Sequence, residues 1–223
     1  MNIPHGERRL LAGPAWAEAD SALVLVHGRG ATAEDILDLG LALDLPGVAL
    51  IAPQAHDFTW YPQRFLAPLE QNQPWLDAAL SALDAIDRDL AEAGIEAHRV
   101  AWLGFSQGAC LVSEWTARHA LPRRGIFVLT GGRIGPPGST FKEAAPSSSE
   151  EEARSARPLG GTPVFLGCGD PDPHIPWFRV EETAACFREL GGEVTVRRYP
   201  GAPHSVNADE MAFVRRCLSA PTS

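Results

Sequence analysis

Short apolar, β-branched runs alternate with amphipathic stretches along this chain, and that alternation restricts the fold more than any other feature. The segments "ALVLVHG" (22–28), "GVALIAP" (47–53), "HRVAWLGF" (98–105), "GIFVLTGG" (125–132), "TPVFLGCG" (162–169) and "EVTVRRYP" (193–200) each read as a strand. The first is apolar without a break and ends in glycine, as a parallel strand covered on both faces does. Between the strands, 74–94 carries Leu76, Leu80, Leu83, Ile86 and Leu90 three or four residues apart, with its charges elsewhere, which is one buried helical stripe. Pro74 suits the first turn of that helix and Gly94 its stop. The segments 106–119, 180–190 and 208–218 read as further helices, and 37–45 as a weaker one interrupted by Gly40. Strands alternating with helices imply right-handed crossovers. The expected architecture is therefore an α/β fold, a mostly parallel central sheet with helices on both faces, with 8–15 adding a short antiparallel edge.

At 223 residues the chain is long enough for one core, and 1–223 reads as a single domain that needs neither disulfide nor structural metal to fold. The formal net charge of -9 repels phosphate backbones and anionic lipid heads, so nucleic acid is set aside as a partner. Cys110, Cys168, Cys186 and Cys217 show no C-x-x-C spacing and read as free thiols in a reducing compartment. The N-terminus lacks a signal-peptide apolar region, and no stretch approaches the roughly 20 apolar residues of a membrane span. A cytoplasmic protein is the expectation, with no cofactor and no metal. Two segments interrupt the alternation. The connection 53–73 is rich in proline and aromatics, with apolar anchors that can pack. The insertion 135–161 is polar, and 147–157 within it is expected to be mobile.

The chemistry centres on "GFSQG" (104–108), a G-x-S-x-G pattern with a strand before it and a helix after it. A strand that turns abruptly into a helix holds Ser106 in a strained conformation, and side chains at Gly104 and Gly108 would collide with the neighbouring elements. A serine at a tight turn can also be a plain N-cap. A serine nucleophile needs a base, and the base needs an orienting group, in the chain order Ser, acid, His. "GDPDPHIP" after the strand at 162–169 offers Asp170 and Asp172. "GAPHSV" after the last strand offers His204, with no other histidine beyond it. Asp172 has the longer reach toward His204, while Asp170 suits a loop-holding role through backbone hydrogen bonds. His174 is the rival base but shares the loop of the acids. The oxyanion donors would be the backbone N–H of Gln107 and, from the glycine-rich "HGRG" (27–30), that of Arg29.

Taken in order, "LVHGRG", "IAPQA", "GFSQGA", "DPDPHIP" and "GAPHSV" resemble the phospholipase/carboxylesterase family of α/β-hydrolases, which includes the acyl-protein thioesterases. The resemblance covers nearly the whole chain. The family pattern G-x-x-D-P-x-[VI]-P falls on Gly169, Asp172, Pro173, Ile175 and Pro176 and points to Asp172 as the acid. The family serine and histidine fall on Ser106 and His204, and the oxyanion donors on Arg29 and Gln107. Arg29 stands where the thioesterases usually carry an apolar residue, and "TWYP" (59–62) and the Ser/Glu-rich insertion also depart from them. These departures bring the chain closer to the small bacterial carboxylesterase branch.

The expected function is hydrolysis of small to medium carboxylic esters through a Ser106–His204–Asp172 triad. Trp60, Tyr61 and Phe65 are expected to wall the substrate pocket, against the plainer reading that they anchor the loop in the core. The Arg29 side chain is expected to be solvated or paired with Glu34 or Asp35, with recognition of an acidic substrate as its alternative. Rival readings are an acyl-protein thioesterase or lysophospholipase and a non-catalytic ligand-binding module. The sequence is compatible with a homodimer closing over the site.

Overall fold

The apolar runs form the strands of one sheet in the computed structural model, which describes residues 3–139 and 157–220. Strands β2 (Ser21–Val26), β3 (Val48–Pro53), β4 (Val100–Phe105), β5 (Gly125–Leu129), β6 (Pro163–Asp170) and β7 (Glu193–Pro200) are parallel, and β1 (Arg9–Ala12) joins β3 antiparallel. The order across the sheet is β1-β3-β2-β4-β5-β6-β7. Every residue of β2, β3 and β5 is buried, which is why these strands read as unbroken apolar runs. The edge strand β7 is half-exposed and carries Arg197 and Arg198, charges that discourage edge-to-edge pairing.

The two faces of the sheet separate by the strand period of two. Val24, Val26, Trp102, Val128 and Leu166 pack under α2 (Trp75–Glu92), α3 (Gln107–Arg118) and α4 (Trp177–Glu189). Leu23, Leu25, Leu103, Phe127 and Phe165 face α1 (Ala33–Leu41) and α5 (Ala208–Ser219). Leu76, Leu80, Leu83, Ile86 and Leu90 are all buried, as the stripe on α2 requires. Pro74 stands just before this helix, and Gly94, with φ +86°, just beyond it.

Helix α1 corrects the expectation for 37–45. It starts at Ala33 because Thr32 and Asp35 form a reciprocal capping box, and it ends at Leu41. Gly40 does not interrupt it. A Cβ there would come within 2.4 Å of Leu25 Cδ1, so the glycine lets the helix lie close on β2. Cys110 and Cys168 are buried free thiols, whereas Cys217 is only half-buried. The polar insertion at 135–161 falls for its greater part, 140–156, outside the described residues. No helix among the described residues is long and apolar enough to cross a membrane.

Register decides where the site lies. Val26 pairs with Gly104, Phe105 with Leu129 and Asp170 with Pro200. The carboxyl ends of β2, β4, β6 and β7 thus align along one sheet edge, and the loops that follow them meet there.

Candidate active site

Ser106 occupies the single residue between β4 and α3, with φ 54° and ψ −117°. A non-glycine residue with positive φ carries local strain that the surroundings must hold in place. Its N–H donates to Leu129 O (3.0 Å) and its C=O accepts from Cys110 N–H (3.0 Å). A Cβ on Gly104 would meet Gly108 O at 2.4 Å, and one on Gly108 would meet Val26 O at 2.1 Å. The glycines of "GFSQG" are therefore required by contact with backbone, as the sequence reading anticipated. Ser106 stands at the N-cap position of α3, but its side chain makes no cap bond. The hydroxyl is spent elsewhere.

It lies 2.8 Å from His204 Nε2, and His204 Nδ1 lies 2.8 Å from Asp172 Oδ2. A carboxylate can only accept, so Nδ1 carries the proton and the Nε2 lone pair faces the serine hydroxyl. The other oxygen, Asp172 Oδ1, accepts the N–H groups of His174 (2.8 Å) and Ile175 (2.8 Å). Burial, the largest influence, pushes this carboxyl up, but those two N–H groups and His204 together hold it below the usual carboxylate value. Phe105 and His174 flank the His204 ring at 5.3 and 4.9 Å between centroids. His174, the rival base, thus supports the ring through its own ring and the acid through its amide. Asp170 differs from its expected role. Its side chain takes the Arg198 guanidinium on β7 instead of its own loop, while its carbonyl accepts Gly201 N–H (3.0 Å).

Arg29 is exposed, as a solvated residue would be, but its side chain does not take the pairing expected with Glu34 or Asp35. Glu34 pairs with Arg8, and Asp35 is committed to the α1 cap. The Arg29 guanidinium instead donates to Thr59 Oγ1 (3.0 Å) and to the carbonyls of Tyr61 (2.9 Å), Pro62 (3.1 Å) and Gln63 (2.7 Å). The physical reason is geometric: a planar five-donor fork suits a turn whose carbonyls converge.

The Gln107 side chain, which sequence reasoning passed over, holds the same segment. Its Oε1 accepts Trp60 N–H (3.0 Å) and its Nε2 donates to Tyr61 O (2.8 Å). A buried carboxamide directly after the serine is the signal that could have exposed this need for partners. His27 was also missed. Its Nε2 accepts Ala55 N–H (3.0 Å), which leaves the proton on Nδ1 for Gly28 O (2.7 Å). Burial holds its pKa down against the Gly28 hydrogen bond, which keeps the ring neutral.

A cavity of about 540 Å³ opens beside Ser106 and His204. Tyr61 and Phe65 border it, together with Arg64, Leu66, Cys110 and Ile175. Trp60 does not. It is fully buried in the core, and its indole N–H donates to His27 O (2.9 Å), so it anchors the loop from beneath. Cys110 lies one turn along α3 from Ser106, a spacing that puts both on one helix face. Arg29 and Gln107 also line the cavity. Among the described residues nothing accepts a hydrogen bond from either backbone N–H. The described residues contain no group of three or more His, Cys, Asp or Glu placed to hold a metal ion.

Known proteins with related chains agree with this architecture. The chain matches the Phospholipase/Carboxylesterase family over residues 14–221. A crystal structure of a phospholipase/carboxylesterase from Dyadobacter fermentans superimposes with a TM-score of 0.87 at 36% identity, covering 97% of this chain and 98% of that one. The acyl-protein thioesterase 1 of Neurospora crassa is 30% identical over 138 residues, 61% of this chain and 51% of that protein. That of Kluyveromyces lactis is 27% identical over 147 residues, 65% of this chain and 59% of that protein. The match therefore spans little more than half the length of these curated relatives. The parallel sheet with its antiparallel β1, the sharp turn at Ser106 and these likenesses define an α/β-hydrolase fold, and the chain belongs to the phospholipase/carboxylesterase family.

Proposed function

We propose that the protein is a serine hydrolase that cleaves carboxylic esters of small to medium size through an acyl-enzyme. One observation carries this reading: an unbroken line of hydrogen bonds runs from the Asp172 carboxylate through His204 to the Ser106 hydroxyl, and ends at a cavity. A serine hydroxyl is a weak nucleophile until an adjacent base can take its proton. In the proposed reaction Ser106 Oγ attacks the ester carbonyl carbon while His204 Nε2 accepts the proton. Asp172 fixes the imidazole tautomer and stabilises the imidazolium. The carbonyl electrons move onto oxygen, where the N–H groups of Arg29 and Gln107 receive the charge. Collapse of the tetrahedral species breaks the bond to the leaving alkoxide, and His204 protonates it. A water then attacks the acyl-enzyme by the same steps, releasing the acid and restoring Ser106.

Ser106→Ala should lower kcat on a p-nitrophenyl ester by about 10⁶-fold, as loss of the nucleophile does in comparable triads, and abolish labelling by a fluorophosphonate. Labelling of that variant at the wild-type rate would exclude Ser106 as nucleophile. A second reading, thioester cleavage, is favoured by the similarity to the two acyl-protein thioesterases. The same residues would serve it, and matched ester and thioester series of increasing acyl length separate the two by their kcat/KM.

A further inference from the structure

The amides of Arg29 and Gln107 come from segments far apart in the chain, the β2–α1 loop and the start of α3. Oxyanion stabilisation depends on donors held at about 2.7–3.1 Å from one developing charge, and losing one donor costs about 10²–10³-fold in rate. The loop that supplies the Arg29 amide is intrinsically pliable, since glycines flank it and Gly30 has φ +77°. Its backbone is held by Gly30 N–H to Phe58 O (2.8 Å), by the longer Ala31 N–H to Gly28 O (3.3 Å) and by His27 Nδ1 on Gly28 O (2.7 Å), and none of these bonds reaches Gln107.

The side chains of the same two residues supply the link between them. Arg29 holds Thr59, Tyr61, Pro62 and Gln63, and Gln107 holds Trp60 and Tyr61. Tyr61 O accepts from both. Trp60 then fixes the brace to the core through His27 O, the carbonyl that precedes the oxyanion loop. Every acceptor of Arg29 in this set is neutral, so the guanidinium acts here through its shape.

We propose that residues 59–63 form a brace that sets the spacing of the two oxyanion amides, with the Arg29 and Gln107 side chains as positioning residues. This rests on the serine-hydrolase reading above. Each residue thereby serves twice, by its amide toward the substrate and by its side chain toward the brace. Lysine at position 29 would keep the charge and lose the fork, so charge alone should not restore function.

The test uses the full chain with Arg29→Met, Arg29→Lys, Arg29→Ala and Gln107→Met. It reads kcat and KM on a short p-nitrophenyl ester, the inhibition constant of phenylboronic acid as a tetrahedral mimic, and the melting temperature. Arg29→Met, Arg29→Lys and Gln107→Met are each expected to lower kcat by about 10–100-fold, less than loss of a donor outright, with KM within about twofold. Boronate affinity should fall in parallel with kcat/KM. Methylguanidinium, but not methylammonium, should restore part of the activity of Arg29→Ala. The Arg29→Met/Gln107→Met double variant should lose less than the product of the single losses, because both break one brace.

Full kcat and boronate affinity in Arg29→Met and Gln107→Met would overturn the proposal, as would losses confined to KM. Should the Arg29 variants fail to fold, Gln107→Met decides by the same readouts. A well-folded wild-type protein that neither turns over esters nor takes the fluorophosphonate label would instead remove the functional reading itself.

Discussion

At the scale of the residue, contacts with backbone set the sharpest constraints. Gly108→Ala drives a methyl into Val26 O, an atom that cannot rotate away. A loss of about 3 kcal/mol is expected, the upper range for overpacking a tight site, measured as a lowered denaturant midpoint. Asp172→Asn tests the orienting role of the acid. The single carbonyl oxygen of asparagine can keep the His174 and Ile175 N–H groups, which leaves the NH₂ facing His204 Nδ1 and forces the proton onto Nε2. In that tautomer the imidazole cannot accept from Ser106, and kcat should fall by about 10⁴-fold with the melting temperature little changed. Retention of more than a tenth of the wild-type rate would show that Asp172 does not govern the tautomer. Ser106, Asp172 and His204 were legible in the sequence because each sits at a fixed place after a strand. The contacts of the Arg29 side chain were not, since its partners are the Thr59 hydroxyl and three backbone carbonyls 30 to 34 residues away, which no residue type advertises.

At the scale of the element, helix starts carry the stabilising detail. Thr32→Ala removes one half of the capping box that begins α1 and should cost about 1 kcal/mol in thermal or denaturant unfolding. Helix α5 opens with a second box, in which Glu210 Oε2 accepts Asn207 N–H (2.9 Å). Here the carboxylate is buried, its other oxygen lacks a partner among the described residues, and burial lifts its pKa from 4.5 to about 7. Between those values the folded state binds a proton that the unfolded chain has released, so this group makes stability fall as pH rises from 4.5 to 7. Glu210→Gln keeps an acceptor for the cap and removes the buried charge. Its melting temperature should exceed that of the wild type at about pH 8, by an amount equivalent to roughly 2–3 kcal/mol, and the advantage should shrink toward pH 5. An advantage independent of pH would assign the gain to packing. The ends of helices were the least legible part of the fold: the α1 pattern pointed to 37–45, yet capping chemistry placed the helix at Ala33–Leu41.

For the whole molecule, acid sensitivity follows from where the chain buries its histidines. His5 is buried beside Trp60 and Trp75 and accepts His56 N–H (3.1 Å). Burial first, then His56 and His27, lowers its pKa from 6.5 to about 4. Over that interval the unfolded chain binds the extra proton, so stability is lost as pH falls from 6.5 toward 4, the opposite sign to Glu210. His5→Asn, which retains an acceptor for His56 N–H, should flatten the acid limb of stability against pH; an unchanged limb would place the sensitivity elsewhere. The sequence by itself determined the α/β class, the positions of β2 to β7 and the order of serine, acid and histidine. The period of side chains and the residues that end strands are local properties, and they survive in one dimension. Only the tertiary structure decided which wall the aromatics form, with Tyr61 and Phe65 on the cavity and Trp60 in the core. It also decided that Arg29 and Gln107 seize one loop. Those outcomes depend on strand register, which brings the ends of β2, β4, β6 and β7 together, and on carbonyl directions that exist only once the loop has closed.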